Sequence, residues 1–499
     1  MDSADPPPQE PCAETATADF LAQAEAAARL LEEVVADRSL LARVPEALRK
    51  RLLAAAGRAS RPSEAERSRL KKARRREARR ARRERDEALL DTTGIRCLRA
   101  NPIFRTPRRQ RPPLGPSEAI GHTSEERGCY CCQRRHREVH FFYDQMCLPC
   151  GDFNYAKRFP SADLSGRVAL VTGARVKIGY QAAILLLRNG CRVVCTTRFP
   201  RDAARRYARE EDFSEWADRL EIHGVDLRFT PAVEALCARL LRRCERLDFV
   251  INNACQTVRR PPGFYEHLLA GEREALDADA ARLLAPSTPR ALARTADAPL
   301  APAALSQLRL TDEDLPRAAS LFPAGVLDAD LQQVDLRRVN SWRLRAHEVS
   351  AVELIEVHLV NAIAPFVINA RLKPLLLRVP TRDKHIVNVS AMEGQFYRTF
   401  KSDKHPHTNM AKAALNMLTR TASLDYVRDG IHVNSVDTGW VTDEDPVHHA
   451  ERKRREHRFH PPLDIVDGAA RIVDPIFDGL NTGRHVWGQF LKDYKPADW

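Results

Sequence analysis

Apolar residues recur at helical spacing in the first part of the chain. Within residues 14–57, which are rich in Ala, Leu, Glu and Arg, a stripe of Leu and Val residues runs until Pro45 interrupts it. A second helix is predicted to open at Ser63 with a capping-box pattern and to end near Leu90. Residues 100–127 hold many Pro, Arg and Gly residues, which predicts a linker.

From Gly166 onward the pattern changes. Short apolar runs alternate with segments of helical periodicity, and these runs are RVALVT, RVVCTT, LDFVINN, HIVNVS and IHVNSV. Such alternation is typical of α/β proteins, so we predict a Rossmann-type, doubly wound parallel sheet. Residues 257–345 interrupt it, and their middle is rich in Ala and Pro. We expect an insertion there that caps the substrate site or binds a partner, with a spacer as the alternative.

Cysteines concentrate just before this region. The chain has 12 cysteines, and five of them lie between Cys129 and Cys150. They form two C-x2-C pairs separated by 14 residues, a spacing that suits a tetrahedral zinc ion in a unit resembling a zinc ribbon. The predicted zinc ligands are Cys129, Cys132, Cys147 and Cys150. A closed four-sulfur site predicts a structural metal; Cys131 is then spare, and His136 or His140 could replace one thiolate.

The positive charge of the chain is confined to one segment. The whole chain carries +13, and residues 58–111 alone hold 20 Lys and Arg against 7 Asp and Glu, so the remainder is neutral. This segment could bind nucleic acid by tracking phosphates, act as a nuclear-import signal, or form a solvated helix. It has almost no aromatic residues for stacking on bases.

Neither a membrane span nor a targeting signal is predicted. The chain has no run of 18 apolar residues, and its start, MDSADPPPQEPCAE, is acidic and rich in Pro. We therefore expect a cytoplasmic or nuclear protein organised in three regions. Residues 1–127 are predicted to be helical, basic and partly disordered, residues 128–152 to form the zinc-ribbon-like unit, and residues 163–499 to form the Rossmann-type domain.

One strand leads into a glycine-containing turn. The run RVALVT is followed by Gly173-Ala-Arg-Val-Lys-Ile-Gly179 and then by a helical pattern. A strand, a glycine turn and a helix together place a pyrophosphate at the N-terminus of the helix.

From about Leu164 to its end, the chain resembles the short-chain dehydrogenase/reductase family. TGARVKIG matches the family's TGxxxGxG, Asn252-Asn253-Ala254 matches NNAG, and TNMAKAALNMLT contains the Lys of YxxxK. The resemblance implies that hydride transfer uses the active-site residues Asn361, Ser390 and Lys412. It implies a cofactor site formed by Gly173, Arg175, Lys177, Ile178, Gly179, Thr197, Arg198, Asp226, Leu227, Asn253, Ala254 and Lys412.

The end of the second strand indicates which cofactor is used. Enzymes of this class that use NAD place an acidic residue there, whereas this chain has Thr196-Thr197-Arg198. A 2'-phosphate would meet no repulsion at this point, and Arg198, Arg175 and Lys177 would supply positive charge. We therefore predict NADP(H) rather than NAD(H).

The chain also departs from the family pattern. Lys177 replaces the middle glycine, Cys255 replaces the last Gly of NNAG, and Asp437-Thr438-Gly439 stands where Pro-Gly is usual. Thr408 replaces the catalytic Tyr, and Thr is a far weaker acid. The proton donor is therefore left open among Thr408, Tyr397, His405 and His407.

These features predict an NADP(H)-dependent oxidoreductase that acts on a small carbonyl or alcohol substrate with an altered proton donor. An inactive NADP(H)-binding sensor or scaffold is one alternative, since the Tyr is missing. A nucleic-acid-binding protein that uses the basic helix and the zinc ribbon is another. The sequence leaves a homo-oligomer open and names no substrate.

Overall fold

The structure is a computed structural model that describes residues 13–107, 115–285, 301–314, 318–397, 401–442 and 444–499. Its contacts divide the chain into two compact units between Glu84 and Arg85. Most of the Ala/Pro-rich stretch predicted within the insertion, residues 286–300, lies outside the described residues, as do Arg108, Arg109 and Arg111 of the basic segment.

The first unit consists of helices. They are α1 (Ala13–Ala36), α2 (Glu46–Ser60) and α3 (Glu64–Asp91), with a 3₁₀ turn at Arg38–Arg43. The predicted capping box opens α3, because Glu66 N donates to Ser63 Oγ at 3.3 Å and Ser63 N donates to Glu66 Oε2 at 2.7 Å. None of residues 19–84 is fully buried, so these helices do not enclose a core of their own.

The second unit begins with the segment that carries the paired cysteines. It contains α4 (Gly94–Ala100), β1 (Gly121–Gly128), β2 (Arg135–Val139) and α5 (Leu148–Lys157). Strands β1 and β2 pair antiparallel around the first cysteine pair. The prediction of a linker is therefore wrong for residues 121–127, because pairing with β2 overrides the local Pro and Gly signals.

A central sheet of eight strands confirms the predicted α/β class. The strands are β3 (Val168–Thr172), β4 (Arg192–Thr197), β5 (Leu220–Gly224), β6 (Phe249–Asn252), β7 (Lys384–Ser390), β8 (Ile431–Asp437), β9 (Phe490–Lys492) and β10 (Lys495–Ala497). Their order is β10-β9-β8-β7-β6-β3-β4-β5. All pairs are parallel except β9 with β10. All five predicted apolar runs form strands.

Helices cover both faces of the sheet and also form much of the insertion. They are α6 (Lys177–Arg188), α7 (Pro200–Ala208), α8 (Thr230–Arg243), α9 (Pro262–Arg273), α10 (Ala278–Arg282), α11 (Pro302–Leu305), α12 (Ala318–Leu321), α13 (Ala351–His358), α14 (Ala364–Leu377), α15 (Pro406–Tyr426), α16 (Val447–His457) and α17 (Ile465–Thr482). One apolar layer packs α6 and α17 on the sheet, and the other packs α8, α14 and the end of α15 on the opposite face. The carboxyl ends of the strands therefore open onto one edge, where side chains from several loops meet.

Length and composition alone would let one described helix, Ala351–Leu377, cross a membrane. In the fold, however, Ile368, Leu372 and Leu376 on this helix are completely buried in the layer against the sheet. One face of the helix therefore forms part of the protein core.

Candidate active site

The glycine turn between β3 and α6 is closely packed against the end of β6. A Cβ atom on Gly173 would lie 2.7 Å from the Cα of Ala254, and one on Gly179 would lie 2.2 Å from Asn253 Nδ2. Asn253 Nδ2 donates to the carbonyl oxygens of Thr172 and Gly173, at 3.0 and 3.1 Å. Ala254 N donates to Thr172 Oγ1 at 3.0 Å. The structure thus joins residues that the sequence motifs assigned separately to the cofactor site.

Lys177, which stands where the family pattern has its middle glycine, adopts a backbone conformation that favours glycine. Its φ is +57°, in the left-handed region, where a residue with a side chain costs about 1 kcal/mol. Burial raises the pKa of nearby Asp330, and the positive charge of Lys177 acts in the opposite direction. Lys177 therefore adds a cation at the first residue of α6.

Two arginines predicted to bind a 2'-phosphate lie over the same aromatic ring. The guanidinium carbons of Arg175 and Arg198 are 5.4 and 5.7 Å from the ring centre of Phe199. Arg198 Nη2 donates to Tyr265 Oη at 2.6 Å, and Arg175 Nη1 is 2.7 Å from Asp202 Oδ2. Both cations therefore already have protein partners, which come from α9 and α7.

Asp202 is an acidic neighbour that the sequence analysis missed. Burial raises its pKa, but the charges of Arg175 and Arg206 outweigh burial, so its pKa lies below the usual value. Asp202 is therefore ionised at neutral pH and held between two arginines. It stands five residues beyond the end of β4, whereas the family pattern places a carboxylate at the strand end itself.

The remaining predicted cofactor residues serve different purposes. Asp226 is buried, and its Oδ2 is 2.7 Å from Arg228 Nη2. Leu227 is buried in the apolar layer of α8. Thr197 Oγ1 accepts a 3.1 Å bond from the amide of the residue two positions on. Ile178 packs between the main core and the apolar cluster of the cysteine-bearing segment. In this structure, these four residues make contacts within the protein around the predicted cofactor site.

Ser390 and Lys412 lie together where β7 ends against α15. Ser390 Oγ donates to Asn416 Oδ1 at 2.6 Å, and Lys412 Nζ donates to Val389 O at 2.8 Å. Both side chains are buried. Asn416, which orients Ser390, is not among the predicted site residues; it follows Lys412 by four residues, so both lie on one face of α15.

Asn361 and Thr408 converge on neighbouring carbonyl groups of the loop after β6. Asn361 Nδ2 donates to Gln256 O at 2.9 Å, and Thr408 Oγ1 donates to Thr257 O at 3.3 Å. Asn361 lies in a π-helical turn, Leu359–Ile363, between α13 and α14, and its buried Oδ1 has no hydrogen-bond partner within the described structure. Such turns are frequent at functional sites. Thr408 lies one helical turn before Lys412. The pair Ser390 and Lys412 and the pair Asn361 and Thr408 therefore each include one residue of α15.

The structure does not bring the alternative proton donors to Ser390. Tyr397 is 78% exposed to solvent, so its ring does not fold back into the site. His405 stacks on Trp342 with ring centres 4.0 Å apart, and its Nδ1 is 2.9 Å from Trp342 O. His407 is buried 3.7 Å from a carboxylate of α13, and burial lowers its pKa to about 4. His407 is therefore neutral at physiological pH and lies beside Glu353 of α13.

The described parts of the insertion pack beside this edge of the sheet. Arg259 forms two bonds with Asp314, at 2.7 and 2.8 Å, and its amide donates to Glu353 on α13. An apolar cluster attaches α9 and α12 to the loop after β4; its members are Phe199, Phe264, Tyr265, Leu268 and Phe322. Buried ion pairs and aromatic contacts thus hold the insertion against the elements that carry the active-site residues.

The four predicted metal ligands come together. The Sγ atoms of Cys129, Cys132, Cys147 and Cys150 all lie within 4.8 Å of one another. Sulfurs at about 2.3 Å from a tetrahedral zinc are about 3.8 Å apart. The Cys132–Cys147 Sγ distance is 3.7 Å, so the donor set fits the metal.

The nearby residues that could have replaced a thiolate are engaged elsewhere. His136 Nδ1 is 3.0 Å from Glu138 O, and His140 Nδ1 accepts the amide of Phe142 at 3.0 Å. Cys131 Sγ accepts from an asparagine of α5 at 3.6 Å and is absent from the four-sulfur group. All four predicted thiolates are therefore retained, and Cys131 is spare.

Buried polar contacts attach this cysteine-bearing segment to the Rossmann-type sheet. Tyr143 Oη donates to Asp467 Oδ1 at 2.5 Å, and Arg158 forms ion pairs with Asp464 and Asp467, both at 2.8 Å. Tyr130 Oη accepts the amide of Trp440 at 3.0 Å, just after β8. The segment therefore supports the start of α17 and the loop that follows β8.

Comparisons with known proteins match the same regions. The family model described as short chain dehydrogenase matches residues 167–268, and the one described as Enoyl-(Acyl carrier protein) reductase matches residues 339–461. An uncharacterized protein of Acanthamoeba polyphaga mimivirus is 32% identical over 380 residues, which are 73% of this chain and 74% of that protein.

A shorter match and a solved structure add to these. Dehydrogenase/reductase SDR family member 13 of Bos taurus is 36% identical over 106 residues, or 20% of this chain and 27% of that protein. The NADPH-bound carbonyl reductase from chicken fatty liver has a TM-score of 0.42 and 17% identity. That similarity covers 67% of this chain and 100% of the other.

Proposed function

Because the chain belongs to the short-chain dehydrogenase/reductase family, a family of oxidoreductases, we propose that it is an NADP(H)-dependent enzyme acting on a small carbonyl or alcohol. The observation that carries the proposal is the buried group around α15. Asn361, Ser390 and the α15 pair Thr408 and Lys412 come from three separate elements, and hydrogen bonds hold them beside the carboxyl ends of β6 and β7. That edge of a parallel sheet is where such folds bind their ligands.

The glycine turn would hold the pyrophosphate of the cofactor at the N-terminus of α6, where Gly173 and Gly179 let the turn pack closely against the end of β6. Arg175 and Arg198 would face the 2'-phosphate. Bound NADPH supplies a hydride. Lys412 would orient the nicotinamide ribose and provide a cation, and Ser390 would hold the substrate oxygen.

Replacing Arg198 with Asp tests the preference for NADP(H). We expect NADPH to bind about 100-fold more weakly, because a charge-assisted contact becomes a repulsion, while NADH binding changes little. The dissociation constants of both cofactors, measured by titration calorimetry, give the ratio. Arg209→Asp is the matched control, since it makes the same charge change at an exposed position at the end of α7. An unchanged ratio would show that Arg198 stays with Tyr265 and does not meet the phosphate.

Turnover separates the enzyme from an inactive NADP(H)-binding sensor or scaffold. The purified protein is mixed with NADPH and a panel of aldehydes and ketones, and loss of absorbance at the NADPH band is followed. Oxidation that depends on the carbonyl compound supports the enzyme. Tight NADPH binding without oxidation would favour the sensor.

The paired cysteines are proposed to hold one structural zinc ion. The sulfur distances suit tetrahedral coordination, and four thiolates leave no position open for a substrate. Because the segment packs on the loop after β8 and on α17, the metal would stabilise one wall of the active-site edge.

A second function is favoured by the distribution of charge around α3. Eleven Lys and Arg residues lie between Arg67 and Arg83, and at 3.6 residues per turn they cover about two thirds of the helix circumference. The remaining narrow stripe of the helix surface, which lacks Lys and Arg, contains Leu70, Ala73, Glu77 and Ala81. A flat membrane meets one face of a helix and calls for an apolar face, which α3 lacks. We propose that α3 lies in the major groove of duplex DNA, whose width of about 12 Å admits a helix.

Removing three consecutive arginines tests this second proposal. With residues 74–76 changed to Gln, we expect DNA binding to weaken and the slope of log K against log salt to fall by about 2 to 3, because about three phosphate contacts are lost. Fluorescence anisotropy with a labelled duplex measures both. The control changes Arg452, Arg454 and Arg455 of α16, which are also exposed, and should leave the slope unchanged. Equal losses in the two variants would indicate non-specific attraction to total charge.

The cellular location stays a prediction, cytoplasm or nucleus, and DNA binding would call for the nucleus. Self-association also stays a prediction, which sedimentation of the purified protein would test.

A further inference from the structure

Asp437 is the last residue of β8 and the direct neighbour of Ser390 across the sheet. Strands β7 and β8 pair in parallel with Ser390 opposite Asp437, so their Cα atoms are about 5 Å apart. The residues two positions earlier, Asn388 and Ser435, also oppose each other, and both bond to Thr419 of α15.

Side chains alternate between the two faces of a strand, so positions two apart face the same way. Asn388 and Ser390 both face α15, the latter through Asn416. Ser435 faces α15 too, and Asp437 follows it by two positions. The carboxyl group of Asp437 therefore belongs to the same face as Ser390, at the carboxyl end of the sheet.

Asp437 differs from four other aspartates described above. Asp202, Asp226, Asp464 and Asp467 each form an ion pair with an arginine. Asp437 is only 5% exposed, yet within the described structure no Lys or Arg nitrogen comes within ion-pairing distance of it. Its Oδ1 accepts a 3.2 Å bond from Gly439 N. A buried carboxyl without a counterion costs stability, and such groups cluster at functional sites.

The charged groups around Asp437 come from several elements. Lys492 and Asp493 lie at the end of β9, Glu393 follows β7, and Tyr130 belongs to the cysteine-bearing segment. Burial raises the pKa of Asp437 to about 6, Glu393 and Asp493 act in the same direction, and Lys492 and the Gly439 amide oppose them. A carboxyl group titrating near neutral pH can both give and take a proton there.

We propose that Asp437 is the catalytic acid that protonates the substrate oxygen in place of the missing tyrosine. This proposal rests on the oxidoreductase function proposed above. The substrate oxygen held by Ser390 would lie between the ends of β7 and β8, within reach of the Asp437 carboxyl group. Thr408, whose hydroxyl is bonded to Thr257 O, helps to shape the pocket and does not donate the proton.

The step balances in atoms and charge. The carbonyl carbon receives a hydride from NADPH, and the electron pair of the C=O π bond moves to oxygen. The oxygen takes the proton from the Asp437 carboxyl group, which becomes a carboxylate. The products are an alcohol and NADP⁺, and water returns a proton to the carboxylate before the next turnover. Oxidation of the alcohol runs through the same groups in reverse.

The direction of the pH dependence follows from this assignment. Reduction needs the protonated carboxyl group, so kcat/KM for reduction should be highest below about pH 6 and fall above it. Oxidation of the alcohol needs the carboxylate form of Asp437, so kcat/KM for oxidation should rise over the same pH range. An acid with the pKa of tyrosine would instead keep reduction active to much higher pH.

The test compares Asp437→Asn with wild type, using the carbonyl compound that wild type reduces best. We expect kcat for reduction to fall about 100-fold and the ionisation near pH 6 to vanish, while the dissociation constant of NADPH stays within about twofold. Glu393→Gln is the matched control, because it removes a neighbouring carboxyl group. It should keep kcat within about twofold at acid pH, where Asp437 is protonated, and move the ionisation to lower pH.

Three outcomes would overturn the assignment. One is an Asp437→Asn enzyme that keeps wild-type kcat and the wild-type pH profile. Another, which needs no variant to fold, is a wild-type profile without an ionisation between about pH 5 and 7. The third is a wild-type protein that binds NADPH and reduces no carbonyl compound, which would overturn the proposed function together with the role of Asp437. The first two leave the oxidoreductase function standing.

Discussion

Replacing Cys147 with Ser should remove the zinc ion and unfold the cysteine-bearing segment. Structural zinc contributes about 10–16 kcal/mol of binding free energy in small zinc-dependent units, because the ligands are gathered only in the folded state. Three remaining sulfurs would hold the ion far less tightly. Elemental analysis should find about one zinc per wild-type chain and almost none in the variant.

The damage is expected to spread beyond the segment. Its residues Tyr143 and Arg158 bond to Asp464 and Asp467 at the start of α17, so the variant should also melt at a lower temperature. Cys131→Ser is the matched control, because Cys131 is close in sequence but outside the four-sulfur group. A native protein without zinc, or a Cys147→Ser protein with normal metal content and melting temperature, would contradict the proposal.

Replacing Lys412 with Ala should lower kcat about 1000-fold. Lys412 is buried and bonds to Val389 O, one residue before Ser390, so its loss removes a cation at the reacting edge and loosens the end of β7. Preorganised charges of this kind contribute about 10²–10³-fold to rate, and cofactor positioning adds to that. Steady-state kinetics at saturating NADPH measure kcat.

An exposed lysine provides the comparison. Lys495→Ala, at the start of β10, removes the same charge from the surface and should leave kcat unchanged. The dissociation constant of NADPH should rise about tenfold in Lys412→Ala, because a contact with the ribose is lost. If turnover is intact without Lys412, the mechanism of this family does not apply to the protein, whatever its fold.

The sequence by itself determined the elements whose signals are local. Each apolar run of the predicted sheet forms a strand of four to seven residues. These runs are rich in β-branched side chains, which favour strands once neighbouring strands are present. The capping box at Ser63 works within one helical turn. The cysteine pairs set their own geometry, because each short turn brings two sulfurs to the same side.

Predictions from local sequence were wrong or incomplete where a residue's structure depends on a partner far away in the chain. Strand β1 forms within a predicted linker because β2 is there to receive its hydrogen bonds. Tyr397 has the chemistry of an acid, but its side chain lies in solvent, and only the fold shows this. The arginines chosen for the 2'-phosphate are held by Tyr265 and Asp202, which the sequence did not single out.

The candidate site shows the same division. The family pattern identified Ser390, Asn361 and Lys412 because their spacing from strands and helices is visible in one dimension. Asn416 and Asp437 acquired roles only from the fold, the first through a bond across α15 and the second through the register of β7 and β8. Asp437 was visible in the sequence as a departure from Pro-Gly. Its chemistry, however, depends on its burial, on the distance from its carboxyl group to the nearest Lys or Arg nitrogen, and on its neighbour Ser390. Those three properties are set by strands that lie far apart in the chain, so only the tertiary structure could decide them.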